Sequence, residues 1–129
     1  MKILIDTNVL FSALLYPQST PAKAVDKAAQ FEKIVLCEHI VLELRTVIGT
    51  KYPDLLDAVN VLIEKLPHEI FDETIQREVS ISDKDDQPIL NAAIAGRVDI
   101  IISGDKHFTQ LKLRKPRVLT PKQFLDGTF

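Results

Sequence analysis

The sequence predicts a three-layer α/β/α sandwich, in which helices cover both faces of a central parallel sheet. Short apolar runs at residues 3–5, 34–37 and 100–102 are typical of strands that are buried on both faces. The segments between these runs carry apolar residues at helical spacing, so strands and helices alternate. No repeat or linker interrupts the 129 residues, which predicts a single domain over residues 1–129.

The N-terminal part of the chain predicts one strand followed by two helices. Residues 2–6 form the predicted strand, and Thr7 or Asn8 is expected to cap the first helix. Ser19 or Thr20 is expected to cap the second helix, after a turn that contains proline.

The middle of the chain repeats the pattern. A strand at residues 34–37 leads into a predicted helix over residues 38–49, and Pro53 starts the next helix. A short strand is expected at residues 69–71, whereas residues 75–81 favour no particular element.

The C-terminal part predicts a helix that opens at Ser82 or Asp83 and ends near Gly96. Residues 98–103 form the clearest predicted strand. A last strand at residues 118–119 precedes a terminal helix.

Composition and charge narrow the classes of function. A net charge of −2 argues against a protein that binds nucleic acid by bulk electrostatics. The chain has neither a signal-peptide pattern nor an apolar run near the ~18 residues of a membrane span, so we expect a cytoplasmic location. The single cysteine, Cys37, lies in a predicted strand and is expected to be a core residue.

Two acids follow predicted strands. Asp6 comes directly after the first strand, and Asp105 follows the strand at residues 98–103 across one glycine. Ligands of open parallel sheets bind outside the carboxyl ends of the strands. If both strands are central, the two carboxylates meet at one edge of the sheet, although each could also be a turn or cap residue.

Two further acids belong to predicted helices. Asp86 is expected in the first turn of its helix, pointing back toward the strand ends, and Glu43 lies at one border of an apolar helix face. The structural alternatives are a charge that complements a helix dipole and a solvated glutamate. Crowded carboxylates favour a bound cation, and these hard oxygen ligands suit Mg²⁺ or Mn²⁺. Phosphodiester hydrolysis is the reaction that such a site favours.

The three histidines show no zinc-binding spacing, which argues against a zinc site. His107 lies two residues beyond Asp105. We expect it to face solvent, with a contact to the site as the alternative.

Four short motifs resemble those of the PIN domain family, in the family's order. They are residues 5–10 (Ile-Asp-Thr-Asn-Val-Leu), residues 41–44 around Glu43, residues 83–90 before an alanine-rich helix, and residues 103–106 (Ser-Gly-Asp-Lys). The resemblance covers residues 2–125. It implies a PIN-like sandwich in which Asp6, Glu43, Asp86 and Asp105 are the catalytic, metal-binding acids.

The same resemblance assigns supporting roles to Asn8 and Ser103, and it leaves Asp85 as the alternative to Asp86 for the third ligand. It implies a ribonuclease dependent on Mg²⁺ or Mn²⁺, often a homodimer, that is the toxin of a toxin–antitoxin pair with a cognate antitoxin protein as partner. Many relatives carry an acid where this chain has His107.

A basic strip follows the last of these motifs. Six of the sixteen basic residues lie between residues 106 and 122, where no acid occurs. The strip is either a solvated surface or a contact for RNA, with Lys106, Arg114 and Lys115 as the candidate RNA-binding residues.

Three other functions compete with the nuclease hypothesis. A phosphatase of the haloacid dehalogenase type needs a second acid two residues after the first, and that position is Asn8. A receiver-type signalling domain needs paired upstream acids, which the sequence lacks. The remaining alternative is a PIN-like module that binds protein or RNA with little or no cleavage.

Overall fold

A parallel sheet of five strands runs through the centre of the fold, in a computed structural model that describes residues 1–66, 68–71, 86–111 and 115–127. The strands are β1 (Lys2–Ile5), β2 (Lys33–Cys37), β3 (His68–Phe71), β4 (Ile100–Ile102) and β5 (Arg117–Leu119). Their order across the sheet is β3-β2-β1-β4-β5, and all four pairings are parallel. β1 and β4 are therefore neighbours, although most of the chain lies between them.

Helices connect these strands, and a last helix follows β5. They are α1 (Thr7–Leu15), α2 (Thr20–Phe31), α3 (Glu38–Lys51), α4 (Leu56–Lys65), α5 (Gln87–Ala95), α6 (Lys106–Thr109) and α7 (Pro121–Asp126), with a 3-10 turn at Pro53–Leu55. The helices α1 to α4 connect β1 to β2 and β2 to β3, whereas α5 lies on the connection from β3 back to β4. Right-handed crossovers in opposite directions place helices on opposite faces. The predicted three-layer α/β/α sandwich with a central parallel sheet is confirmed.

The hydrophobic core lies on both faces of the central strands. Ile3, Leu4 and Ile5 of β1 are fully buried, as is Ile101 of β4. Continuous apolar strands need this burial, because alternate side chains point to opposite faces. Cys37, the single cysteine of the sequence, is also buried, as expected for a core residue.

The register of β1 and β4 determines where the strand ends lie. Ile5 pairs with Ile102, so the two strands finish side by side. Residues that follow them are consequently brought together at the carboxyl edge of the sheet.

The helix caps agree with the sequence in part. Ser19 caps α2 by accepting a hydrogen bond from the Ala22 N–H at 3.3 Å. The prediction that Thr7 or Asn8 caps α1 was wrong, because the cap position belongs to Asp6, whose side chain makes no capping hydrogen bond.

Several element boundaries also differ from the predictions. α3 continues to Lys51, and the helix predicted from Pro53 opens as a 3-10 turn. The strand predicted at residues 98–103 narrows to Ile100–Ile102, and α5 begins at Gln87. The proposed helix starts at Ser82 and Asp83, and the unassigned residues 75–81, lie outside the described residues.

The four-residue helix α6 was not predicted, because it is too short to show a hydrophobic period. Across the described ranges, none of the helices combines the length and apolar character needed to cross a membrane.

Candidate active site

Asp6 and Asp105 meet at the carboxyl edge of the sheet, joined through Ser103. The Ser103 hydroxyl donates a hydrogen bond to Asp6 Oδ2 at 2.8 Å and accepts one from the Asp105 N–H at 3.0 Å. The Asp6 N–H donates to the Ile102 carbonyl at 3.0 Å, which extends the β1–β4 pairing by one residue. Ser103 is fully buried and Asp6 is only 2% exposed, so both side chains are held in one orientation.

His107 contacts two acids from different elements. Its Nδ1 lies 3.1 Å from Asp105 Oδ1 and 3.4 Å from Asp86 Oδ2, and its backbone N–H donates to Asp105 Oδ1 at 2.8 Å. The His107 side chain is 42% exposed, as expected of a histidine that faces solvent, and it also makes the contact to the site that was the alternative. The available signal was its position two residues after a strand-end acid.

Asp86 is the residue immediately before α5, at the cap position, rather than in the first turn. Despite this difference of one residue, the Asp86 carboxylate lies beside His107 and points toward the strand ends, as expected. Asp85, the alternative ligand, lies outside the described residues.

All four acids line one cavity of about 360 Å³. Glu43 reaches it from α3 and is 37% exposed, with its Oε2 3.6 Å from His39 Nε2 one helical turn earlier. Asp6, Asp86 and Asp105 complete the acidic wall. Residues from four parts of the sequence thus surround one space.

The other walls of the cavity are formed by Thr7, Asn8, Phe11, Val47 and Lys51. Asn8, to which the family resemblance assigns a supporting role, is therefore one of the lining residues. The Thr7 hydroxyl is buried and has no hydrogen-bond partner among the described residues. Phe11 lies four residues after Thr7 on α1, and Lys51 lies four residues after Val47 on α3. Neither residue was predicted from the sequence.

Burial raises the pKa of Asp6 from 3.8 to about 6. Hydrogen bonds from the Ser103 side chain and the Thr7 backbone lower the pKa and so oppose this effect, while the negative charges of Asp105 and Glu43 raise it further. Without a cation, the ionised form of Asp6 is therefore less stable in the folded protein than in water.

The donor atoms of Asp86, Asp105 and His107 fit a divalent cation. One donor atom from each lies within 4.8 Å of the others. Carboxylate oxygens suit Mg²⁺ and Mn²⁺, and an imidazole nitrogen is an additional ligand for transition metals. The buried, unpartnered Thr7 hydroxyl lies in the same cavity, which is consistent with a site that a ligand completes.

The two candidate RNA-binding residues that the structure describes, Lys106 and Lys115, do not line this cavity. Lys115 Nζ pairs with Asp99 Oδ1 at 3.1 Å, and Asp99 directly precedes β4 at the amino edge of the sheet. Lys115 therefore lies at the edge opposite to the acids. Lys106 is exposed and follows Asp105 directly, whereas Arg114 lies outside the described residues.

Comparisons with known proteins agree with this geometry. A family model described as PIN domain matches residues 2–107, a range that includes every lining residue of the cavity. The sequence matches no curated protein. Among solved structures, the chain is similar to one from VapBC2 of Rickettsia felis, which was determined bound to a DNA fragment from their promoter.

That likeness has a TM-score of 0.69 at 16% identity and covers 93% of this chain and 98% of the other. At such low identity it supports the fold. The family match covers most of the sequence and contains all four acids in the predicted order. The chain belongs to the PIN domain family.

Proposed function

We propose that the chain is a metal-dependent endoribonuclease that hydrolyses RNA phosphodiester bonds. PIN domains are in general metal-dependent nucleases. The observation that carries the proposal is the cavity in which Asp6, Glu43, Asp86 and Asp105 converge from separate elements. A structural role for single acids does not explain why all four line the same space.

The proposed cofactor is Mg²⁺ or Mn²⁺, held by Asp6, Glu43, Asp86 and Asp105, with His107 as a further donor beside Asp86 and Asp105. When bound, the ion supplies positive charge that activates water and offsets the charge that develops on the phosphate. Asp6 and Glu43 add negative charge to the same cavity. This charge attracts the cation, and the bound cation reduces the repulsion between the carboxylates.

The chain's own residues hold this arrangement in place. Ser103 keeps the Asp6 carboxylate in one orientation, and the His107 N–H restrains Asp105. Hydrogen bonds of this kind position metal ligands and tune their basicity. Asn8 is proposed to support the site from the cavity wall, and Asp85 keeps a supporting role that rests on the family resemblance.

We further propose that the nuclease is a cytoplasmic toxin of a toxin–antitoxin pair, with a cognate antitoxin protein as partner and a homodimer as its assembly. Support comes from the fold shared with a chain of the Rickettsia felis VapBC2 assembly. Co-expression of the protein encoded beside this chain is expected to relieve toxicity. Toxicity that no neighbouring protein relieves would contradict the pairing but not the nuclease.

The direct test is cleavage of single-stranded RNA by purified protein with Mg²⁺ or Mn²⁺, compared with EDTA. Asp6→Asn is expected to abolish cleavage while the circular dichroism spectrum stays unchanged, because it removes one charge and keeps the side-chain shape. Asp57→Asn is the matched control, since Asp57 is exposed on α4 and does not line the cavity. Equal activity of Asp6→Asn and the wild type would refute the assignment.

The alternative is a PIN-like module that binds RNA or protein with little or no cleavage. It predicts that RNA binds but is not cut under any metal condition. The complete set of four acids in the cavity favours an enzyme.

A further inference from the structure

A second, smaller cavity lies at the amino edge of the sheet, between the end of α5 and the start of β5. Its volume is about 200 Å³, below the ~300–1,000 Å³ of sites for drug-sized ligands. It is lined by Ala93, Ile94, Arg97, Val98, Lys115 and Pro116. Among the described residues, none lines both this cavity and the acidic one, so the two are separate sites.

The turn that follows α5 places Arg97 in an unusual backbone conformation. Arg97 has a φ of 53°, in the left-handed region. Its N–H donates to the Ile94 carbonyl at 3.1 Å, and the Val98 N–H donates to the Ala93 carbonyl at 2.9 Å. This pair of hydrogen bonds ends many helices, and glycine usually occupies the left-handed position because a Cβ there costs free energy. The turn therefore disfavours the arginine side chain instead of requiring it.

A role at the end of the helix does not explain the Arg97 side chain either. Cations stabilise a helix C-terminus by interacting with its last carbonyl groups. Lys2 already occupies that position, with its Nζ 3.5 Å from the Gly96 carbonyl oxygen. The Arg97 side chain is exposed, and it has neither an ion pair nor a hydrogen bond with any residue that the structure describes. Its guanidinium is thus available to a ligand in the cavity.

Lys115 supplies a second cation from the opposite wall. Its Nζ lies 3.1 Å from Asp99 Oδ1, and its side chain is 61% exposed. Because Asp99 balances the charge of Lys115, the net positive charge of the cavity comes from Arg97. The described lining residues include no acid. A small anion in the cavity therefore contacts two cations and no carboxylate of the wall.

The floor of the cavity is apolar. Ala93 and Val98 belong to the hydrophobic core, Ile94 packs against it, and Pro116 is buried. Such a floor favours a hydrocarbon group and offers no hydrogen-bond donor to the other oxygens of a phosphate. The combination matches a ligand with one negative head and a short apolar tail.

We propose that Arg97 and Lys115 bind the carboxylate of a small aliphatic acid, whose hydrocarbon part packs on Val98 and Pro116. A guanidinium presents two parallel N–H groups to a carboxylate, which makes arginine the suitable residue at this position. The volume of the cavity limits the acid to about the size of a leucine side chain. The site does not depend on the proposed nuclease, because the four acids lie at the other edge of the sheet.

Titration of the nitrogen-labelled full chain with isovalerate, followed by two-dimensional NMR at constant pH, tests the proposal. Saturable shifts are expected at residues 93–98 and 115–117, with a millimolar Kd. Isovaleramide keeps the shape but not the charge, so it should bind roughly 10- to 150-fold more weakly, the loss of one hydrogen bond between charged groups. Inorganic phosphate should produce no saturable shift at these residues.

Arg97→Gly separates the ligand contact from the backbone. Because glycine adopts the left-handed conformation readily, the variant is expected to raise the melting temperature and to lose saturable binding of isovalerate. Arg117→Gln is the matched control, since Arg117 is exposed at the start of β5 and does not line the cavity. It should bind isovalerate as the wild type does.

Undiminished binding in Arg97→Gly would overturn the proposal. A lower melting temperature of that variant would do so as well, because the arginine would then serve the fold. The proposal also fails if isovaleramide or phosphate binds as well as isovalerate, or if Arg117→Gln loses as much affinity as Arg97→Gly. The peptide Gly-Gly-Leu presents the same acid at a chain end; tighter binding than isovalerate would identify a protein C-terminus as the source, and weaker binding a free acid, each in support of a carboxylate site.

Discussion

Neutralising Asp6 is expected to stabilise the metal-free protein. Burial raises the pKa of Asp6 from 3.8 to about 6, a difference of roughly two units at ~1.4 kcal/mol each. At pH values above 6 the folded protein therefore holds a carboxylate that would be more stable in the unfolded chain. The ionised Asp6 lowers the free energy of unfolding by about 3 kcal/mol. This loss disappears below about pH 4, where Asp6 is protonated in both the folded and the unfolded state.

Urea denaturation in EDTA measures this cost directly. Asp6→Asn should increase the free energy of unfolding by up to about 3 kcal/mol near pH 7.5, because Asn keeps an oxygen that accepts the Ser103 hydrogen bond. Near pH 4 the two proteins should have the same stability. Saturating Mg²⁺ should stabilise the wild type more than the variant, since the ion binds the folded state.

Asp99→Asn provides a control of opposite sign. The Lys2 backbone N–H and the Lys115 side chain lower the pKa of Asp99, so its charge stabilises the fold at neutral pH. That contribution is lost as the pH falls through the lowered pKa. Asp99→Asn should therefore destabilise the protein at pH 7.5. If Asp6→Asn were destabilising at pH 7.5 as well, the argument from burial would be refuted.

Three other outcomes follow from the site. Ser103→Ala should raise the activation free energy of RNA cleavage by more than it lowers the free energy of unfolding, because the hydroxyl orients Asp6 and supports Asp105. Equal changes in these two free energies would indicate a purely structural serine. His107→Ala should weaken Mn²⁺ binding more than Mg²⁺ binding in calorimetric titrations, since imidazole is the softer ligand, and an equal loss for both ions would exclude it as a donor. Phe108→Ala should cost about 3–5 kcal/mol in urea denaturation, because Phe108 is fully buried on α6.

The strand-end acids could be located from the sequence because two short-range facts combine. A continuous apolar run marks a buried strand, and parallel strands bring their carboxyl ends to one edge. For Asp6 and Asp105 the sequence left one condition open, that both strands are central, and the neighbouring positions of β1 and β4 in the sheet meet it. The helical spacing of α3 placed Glu43 at the border of an apolar face and left a solvated glutamate as the alternative, and the family resemblance assigned it to the site.

The details that were missed depend on tertiary contacts. Capping rules allow Asp as well as Ser, Thr or Asn before a helix. The Asp6 side chain instead accepts a hydrogen bond from Ser103, which is distant in sequence, and no local rule describes that choice. His107 depends on α6, which is too short for its period to be read. Lys51 lies eight residues after Glu43, and Phe11 lies three residues after Asn8, so a search of the same helix faces would have included them.

The hydrogen bond between Ser103 and Asp6 joins residues 97 positions apart. During synthesis, the N-terminal strand emerges long before the residues that position its acid. The cavity cannot assemble on a nascent chain until residue 105 has left the ribosome, and a truncated product that ends before β4 would lack the serine and one of the acids. Premature termination would thus yield a protein without the assembled site, so the order of translation itself limits when the site can form.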